Sequence, residues 1–200
     1  MVLITRVLPI LSVVAVALAL SLKRDAATIE ADVANIASEV TTLDDAIEAF
    51  PFTGGTLLAA LVFISRVIVV DISSEEDLQN IHSDAVTLIN TLDQTIADIE
   101  ASEPLSETDC ETILAAVEAI EPIIFDALND IIAKKPAFAA LPIGGLTTLI
   151  LQDLENLETA TIDFANALMD ICPADLEPEE TELSQNITAA FVPAIVAYSS

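Results

Sequence analysis

Aliphatic side chains recur three or four positions apart through most of the chain, and this spacing restricts the fold more than any other feature. Side chains three and four residues apart lie on one face of an α-helix, whereas a half-buried strand alternates every second residue. The first segment, residues 25–50, keeps the spacing without a break. Its apolar positions are Ile29, Val33, Ile36, Val40, Leu43, Ile47 and Phe50. We therefore predict an all-α fold: a single-domain bundle of five or six amphipathic helices.

Prolines, glycines and capping residues divide the rest of the chain into further helices. Ser73-Ser74 is expected to cap one of them, and Ser106 with Asp109 resembles a capping box that opens the next. Lys134-Lys135-Pro136 is expected to end that helix, and residues 137–145 are expected to form a loop. The predicted helical segments after the first are 56–71, 73–103, 106–135, 146–171 and 176–198.

The segment from Thr56 to Val70 is apolar all round and carries one charge, Arg66. As a helix it reaches about 22 Å, which is short of the roughly 30 Å hydrocarbon core of a membrane. Its β-branched end also permits a strand, but no partner strand is visible elsewhere. A helix that is apolar all round belongs in a core. We expect the other helices to surround it at about 56–71, either as solid core or as the wall of a cavity.

Residues 1–24 resemble a secretory signal. Arg6 gives a short basic start, an apolar run follows, and Ala17-Leu18-Ala19 is a plausible cleavage site. Lys23-Arg24 offers a dibasic trimming site, which would leave residues 25–200 as the mature helical domain. The alternative is an uncleaved signal anchor. The expected location is secreted and extracellular, with no transmembrane span in the mature chain.

The charge balance is strongly acidic. Six bases stand against 33 acids, a net charge of −27. Nucleic acid would be repelled, so no nucleic-acid partner is expected. A surface of this charge keeps a chain soluble and apart from its copies, so we expect a monomer in spite of the apolar content.

The two cysteines, Cys110 and Cys172, form an even pair in a chain with a secretory signal, which favours one disulfide. Such a bridge contributes roughly 4 kcal/mol on the chain-entropy model. The alternative is two separate buried thiols. Asn186-Ile187-Thr188 is an N-glycosylation sequon, usable if Asn186 is exposed.

The sequence lacks the patterns that carry catalysis or metal binding. The one histidine, His82, is expected to be a solvated side chain, and Ser83 and Asp84 beside it have no nucleophile-elbow context. No spacing suggests zinc or calcium, and neither glycine pair forms a phosphate loop. Acid runs such as Glu179-Glu180 are explained by helix capping. We therefore expect no enzyme activity, no cofactor and no metal.

The chain resembles the fungal hydrophobic surface binding protein A family, which also contains antigenic cell-wall galactomannoproteins. Each matching piece is short, but the pieces occur in the family's order. The matching residues are Val33, Ile36, Val40, Leu43, Ile47, Phe50, Lys135-Pro136-Ala137-Phe138, Leu141-Pro142, Leu154-Glu155-Asn156-Leu157, Thr161, Phe164, Leu168, Cys172-Pro173, Leu176, Phe191, Ala194-Ile195 and Tyr198.

The resemblance implies a small secreted helical protein without catalysis of its own. Family members adsorb to hydrophobic surfaces and can recruit a polyester-degrading hydrolase such as a cutinase. Related cell-wall members hold fatty acids in a cavity between helices. This sequence shows no Ser/Thr-rich tail or anchor signal after Tyr198, which favours release over cell-wall association.

The main functional hypothesis is a secreted, non-enzymatic protein that binds hydrophobic surfaces and recruits a cutinase-like hydrolase. A fatty-acid or lipid carrier with a cavity between helices is the first alternative. A structural or antigenic domain without a ligand is the second. The residues expected to contact an apolar ligand are Leu57, Leu61, Ile64, Ile68, Phe138 and Leu141.

Overall fold

The protein's structure, a computed structural model, describes residues 8–51, 70–141 and 143–199. This part of the chain is helical and contains no strand, so the predicted all-α class is confirmed. Residues 52–69 lie outside the described residues and hold nearly all of the predicted inner helix at about 56–71. The described helices are α1 (Leu8–Ala49), α2 (Val70–Glu100), α3 (Glu107–Ala139), α4 (Leu146–Ile171) and α5 (Glu177–Tyr198).

The five helices close into a ring in the order α1, α2, α4, α5, α3. Helix α1 packs against α2 and α3, α4 packs against α2 and α5, and α3 also packs against α5. The C-terminal ends of α1, α3 and α5 meet at one end of the ring. There Lys134 of α3 bonds to the last carbonyls of α1, and the Tyr198 hydroxyl of α5 donates to the Ile131 carbonyl of α3, 2.8 Å away. A ring of this kind leaves its axis to be filled by side chains alone.

The predicted apolar stripe of α1 forms one wall of the core. All seven of its members are buried, none more than 7% exposed. Burying one such side chain contributes about 1.5–3 kcal/mol. Helix α1 begins at Leu8, ahead of the expected start at Asp25. Signal cleavage within this helix stays a prediction.

A disulfide closes the opposite end of the ring. Cys110, in the first turn of α3, is bonded to Cys172, which follows α4, with 5.9 Å between their Cα atoms. Beside it the Leu105 amide donates to the Ile171 carbonyl at 3.0 Å. The structure thus contains the bridge that the sequence suggested, and it ties the start of α3 to the end of α4.

Ser106 caps α3 as predicted. Its hydroxyl accepts from the Asp109 amide at 3.3 Å and donates to the Asp109 carboxylate at 2.7 Å. Satisfying an amide in this way fixes where the helix starts.

Two further predicted helix boundaries were wrong. Helix α3 does not end at Pro136 but continues to Ala139, and it is also unbroken at Pro122. Proline inside a helix removes one backbone hydrogen bond, but Phe138 is buried against Phe50, with 4.3 Å between ring centroids. That packing favours the extra turn. Helix α2 begins at Val70, ahead of the expected cap at Ser73-Ser74.

Candidate ligand-binding cavity

The side chains of the described residues do not completely fill the axis of the helical ring. An apolar cavity lies there, lined by side chains from all five helices. Its volume is about 140 Å³ when only the positions that the centre of a water molecule can reach are counted. All the space between the lining atoms, part of which is continuous with solvent, amounts to about 1300 Å³. An apolar cavity of about 150 Å³ in another protein takes up benzene, so the smaller of these two volumes is enough for a small apolar guest.

The lining is almost entirely hydrocarbon. Apart from Asp153, Thr161, Glu180 and Ser184, every lining residue is Ala, Val, Ile, Leu or Phe. Empty cavities in proteins are typically apolar, and those lined by aliphatic residues stay dry and accept apolar guests. The lining residues other than those four are Val33, Ile36, Val40, Leu43, Ile47, Ile81, Ala85, Leu88, Leu92, Leu114, Val117, Ile120, Ile124, Ala127, Leu128, Ile131, Ile150, Leu154, Leu157, Phe164, Ala165, Leu168, Leu183, Ile187 and Phe191.

The cavity is elongated along the bundle. On α1 its lining runs from Val33 to Ile47, which corresponds to about 21 Å of helix. A single acyl chain covers about half of a roughly 30 Å bilayer core, or about 15 Å. The cavity therefore has the length for an extended acyl chain.

A histidine–carboxylate pair joins α2 to α4 at the cavity wall. His82 Nδ1 lies 2.8 Å from Asp153 Oδ2, and the two side chains are 41% and 13% exposed. Burial raises the pKa of Asp153, and the hydrogen bond and charge of His82 partly counter that rise. The expectation that His82 is merely solvated was wrong, because a partner 71 positions away in sequence binds it.

A second polar group enters the cavity from α5. Glu180 is 5% exposed, and its Oε1 atom has no hydrogen-bond partner. Burial, and after it the negative charge of Glu177, raises the pKa of Glu180. Ser184 lines the cavity one helical turn further on. Sequence analysis missed Glu180 because it stands in an acid run that looked like ordinary capping.

The six residues predicted to contact an apolar ligand fall into two groups. Leu57, Leu61, Ile64 and Ile68 lie outside the described residues, and their role stays a prediction. Phe138 is buried, and Leu141, just beyond α3, packs on the core, but the structure places neither in the cavity lining. The lining comes instead from the amphipathic stripes that the sequence identified as core. Only the closed ring distinguishes a stripe facing a cavity from one facing solid core.

The outer surface of the described residues offers few large apolar side chains. Val86, Val192 and Val196 are the exposed ones, and Val192 and Val196 lie one turn apart on α5. No described helix is both long and apolar enough to cross a membrane. Within the same residues, no cluster of three or more potential ligands could hold a metal ion. Asn186, in the predicted sequon, is exposed on α5.

Comparison with known proteins places these features in context. Residues 26–170 match the family model of hydrophobic surface binding protein A. Cell wall mannoprotein 1 of Aspergillus fumigatus is 27% identical over 122 residues, which are 61% of this chain and 42% of that protein. Its Aspergillus flavus counterpart is also 27% identical, over 44% of its length. The chain thus spans less than half the length of these relatives.

Solved structures share the architecture. The crystal structure of Afmp4p in complex with palmitic acid has a TM-score of 0.65 and 31% identity, covering 86% of this chain and 99% of that one. Ligand-binding domain 1 of the Penicillium marneffei MP1 protein, complexed with arachidonic acids, has a TM-score of 0.71 over 88% of this chain and 99% of that one. At 19% identity, this second likeness concerns the fold alone.

Proposed function

We propose, since the chain belongs to the hydrophobic surface binding protein A family, that it binds a long acyl chain in the cavity enclosed by its five described helices. The observation that carries the proposal is the lining itself: an elongated apolar space between helices that are otherwise strongly acidic. Such a site takes up hydrocarbon chains.

The energetic basis is the removal of apolar surface from water. Burial contributes about 25 cal/mol per Å² of apolar area, from which the cost of immobilising the ligand is subtracted. An apolar space already exists between the described helices, so part of the ligand's surface can be buried without new packing. The palmitic acid bound by the similar Afmp4p supports a fatty acyl chain as the ligand class.

The protein would act by binding rather than by catalysis. The cavity wall offers hydrocarbon and four polar side chains, and one of these, Asp153, is already bonded to His82. The names of the Aspergillus relatives support a location at or beyond the cell wall. That location agrees with the proposed signal at residues 1–24 and with a mature domain from residue 25.

A cavity-filling variant tests acyl binding. Ala127 lines the cavity and is 9% exposed, so Ala127→Phe would place an aromatic ring in the ligand's space. Ala119, on the same helix, faces solvent, and Ala119→Phe is the matched control. Titration calorimetry with palmitate should show binding to the wild type and to Ala119→Phe, and at least a tenfold loss for Ala127→Phe.

Two different results would contradict the proposed acyl binding. Equal affinity in both variants would place the ligand elsewhere on the protein. Absence of binding in the wild type, together with a ligand-free mass by native mass spectrometry, would favour a domain without a ligand. Circular dichroism of Ala127→Phe must show the native helix content.

The second candidate function is adsorption to hydrophobic solids with recruitment of a secreted, cutinase-like hydrolase. The family description and the exposed pair Val192 and Val196 favour it. The pair alone is small, so strong adsorption requires the helices to part and present their inner faces.

Depletion from solution by polyester particles at high salt tests adsorption. The wild type should be depleted more than an equally acidic helical protein. The double variant Val192→Ser, Val196→Ser should be depleted less than the wild type at early times, when adsorption still depends on the exposed valine pair. A cutinase added afterwards should be retained on coated particles and not on bare ones. Depletion equal to that of the control protein would rule adsorption out.

A further inference from the structure

We propose that Glu180 is the polar anchor of the cavity and that the preferred ligand carries a hydrogen-bond donor, such as a hydroxyl group, on its hydrocarbon chain. The inference rests on the acyl binding proposed above and specifies the chemistry of the ligand's polar end. It predicts a long-chain alcohol or hydroxylated acyl chain in preference to an anionic fatty acid.

The position of Glu180 distinguishes it from its neighbours. Glu177, Glu179 and Glu180 all lie in the first turn of α5, but only Glu180 is buried. Its side chain faces the same cavity as Leu183 and Ser184. Positions three and four residues apart share a helix face, so this end of the cavity has a polar patch inside an apolar wall.

The carboxyl group is incompletely satisfied there. Oε1 of Glu180 is buried and has no hydrogen-bond partner. A buried polar atom without a partner is costly, and a hydrogen bond to a charged group is stronger than one between neutral groups. A ligand hydroxyl could donate to Oε1 whether the carboxyl group is ionised or protonated. The ligand would then supply the partner that the protein does not.

The same position disfavours an anionic ligand end. A fatty carboxylate near Glu180 would meet the carboxyl groups of Glu180 and Glu177. Burial, and after it the negative charge of Glu177, already raises the pKa of Glu180, so a second negative charge placed beside it is disfavoured. A neutral donor avoids this repulsion and still fills the cavity.

The experiment compares three ligands of one chain length: dodecanol, dodecane and dodecanoate, at neutral pH, by displacement of a cavity-bound fluorescent dye. The wild type should bind dodecanol about tenfold more tightly than dodecane, and dodecanoate more weakly than dodecanol. Glu180→Leu should abolish the preference for dodecanol over dodecane. Glu179→Leu, at the exposed neighbouring position, should retain it.

Glu180→Gln gives a second, less disruptive variant. Its amide oxygen still accepts a hydrogen bond, but the negative charge is gone. It should keep part of the preference for dodecanol and bind dodecanoate several-fold more tightly than the wild type does.

Two results would overturn the anchor, and they are distinct. An unchanged preference for dodecanol in Glu180→Leu, or unchanged dodecanoate binding in Glu180→Gln, removes Glu180 from ligand recognition while acyl binding itself stands. Failure of the wild type to bind any of the three ligands removes the proposed binding function and the anchor with it.

Discussion

The ammonium group of Lys134 donates a hydrogen bond to the carbonyl oxygen of Ile47, 2.6 Å away across the α1–α3 interface. It also donates to the carbonyl oxygens of Glu48 and Phe50, and the side chain is fully buried. The last carbonyls of a helix have no partner within the helix and carry the negative end of its dipole. One lysine of α3 therefore caps α1 from a distance of more than eighty positions in the sequence.

We predict that Lys134→Met lowers the free energy of unfolding by about 2–4 kcal/mol. Methionine fills a similar volume, so the loss comes mainly from carbonyl groups left without donors. Chemical denaturation followed by circular dichroism measures it. The comparison variant is Lys135→Met, since Lys135 is only partly buried and donates to the Ala197 carbonyl of α5. A Lys134→Met loss no larger than that of Lys135→Met would contradict this account.

We predict that His82→Ala raises the pKa of Asp153 further. Burial already raises that pKa, while the hydrogen bond and charge of His82 act in the opposite direction. Removing His82 leaves the burial effect uncompensated. Carbon-detected NMR titration of the Asp153 carboxyl group measures the change. His82→Gln, which can still donate a hydrogen bond, should give a smaller shift, and a downward shift in His82→Ala would disprove the assignment.

We predict that the fold becomes more stable as the pH falls from neutral toward the ordinary carboxyl values of 3.8 for Asp and 4.5 for Glu. A carboxyl group whose folded pKa is raised binds its proton more tightly when folded, so the unfolding free energy decreases as pH rises through the folded pKa. Among the described residues, the carboxyl groups with a raised pKa are Asp32, Asp44, Asp84, Asp153 and Glu180.

Urea denaturation across that pH range tests the prediction. Asp44 is the most informative site, since burial and then Asp126 and Asp130 of α3 raise its pKa. Asp44→Asn should flatten the pH dependence, whereas Glu179→Gln at an exposed site should leave it nearly unchanged. Stability that falls steadily on acidification would show that these carboxyl groups do not control it.

We predict that α1 and α2 are the part of the ring that opens on a hydrophobic surface. The disulfide Cys110–Cys172 ties α3 to α4, and α5 follows α4 directly. Release of α1 and α2 requires only the α1–α3 and α2–α4 interfaces to part. Hydrogen exchange with and without polystyrene beads should show lost protection within residues 26–51 and 70–100 and retained protection in α3–α5. Uniform protection would exclude this opening.

The apolar stripes were predictable because a helix face is a local property. Spacing alone identified the buried positions of α1, such as Ile29 and Ile47, and most of those in the other helices. The cap at Ser106 and the partnership of Cys110 with Cys172 were also readable, since each depends on a short motif or on a pair with no competitor.

The site was less predictable because its polar groups depend on partners far away in sequence. His82 was expected to be solvated, but it meets Asp153. Lys134 was expected to mark the end of its own helix, but it lies within α3 and caps α1. The sequence does not distinguish Glu180 from Glu179. The packing of α5 in the ring buries Glu180 and leaves Glu179 exposed.

The sequence by itself determined that the protein is helical, acidic and rich in aliphatic stripes, because periodicity and charge are carried by neighbouring residues. Only the tertiary structure decided that the stripes of five helices face a common axis without filling it. The volume of the cavity depends on how the five helices pack around each other. Val40, Ala127 and Glu180 become part of the cavity wall only through that packing.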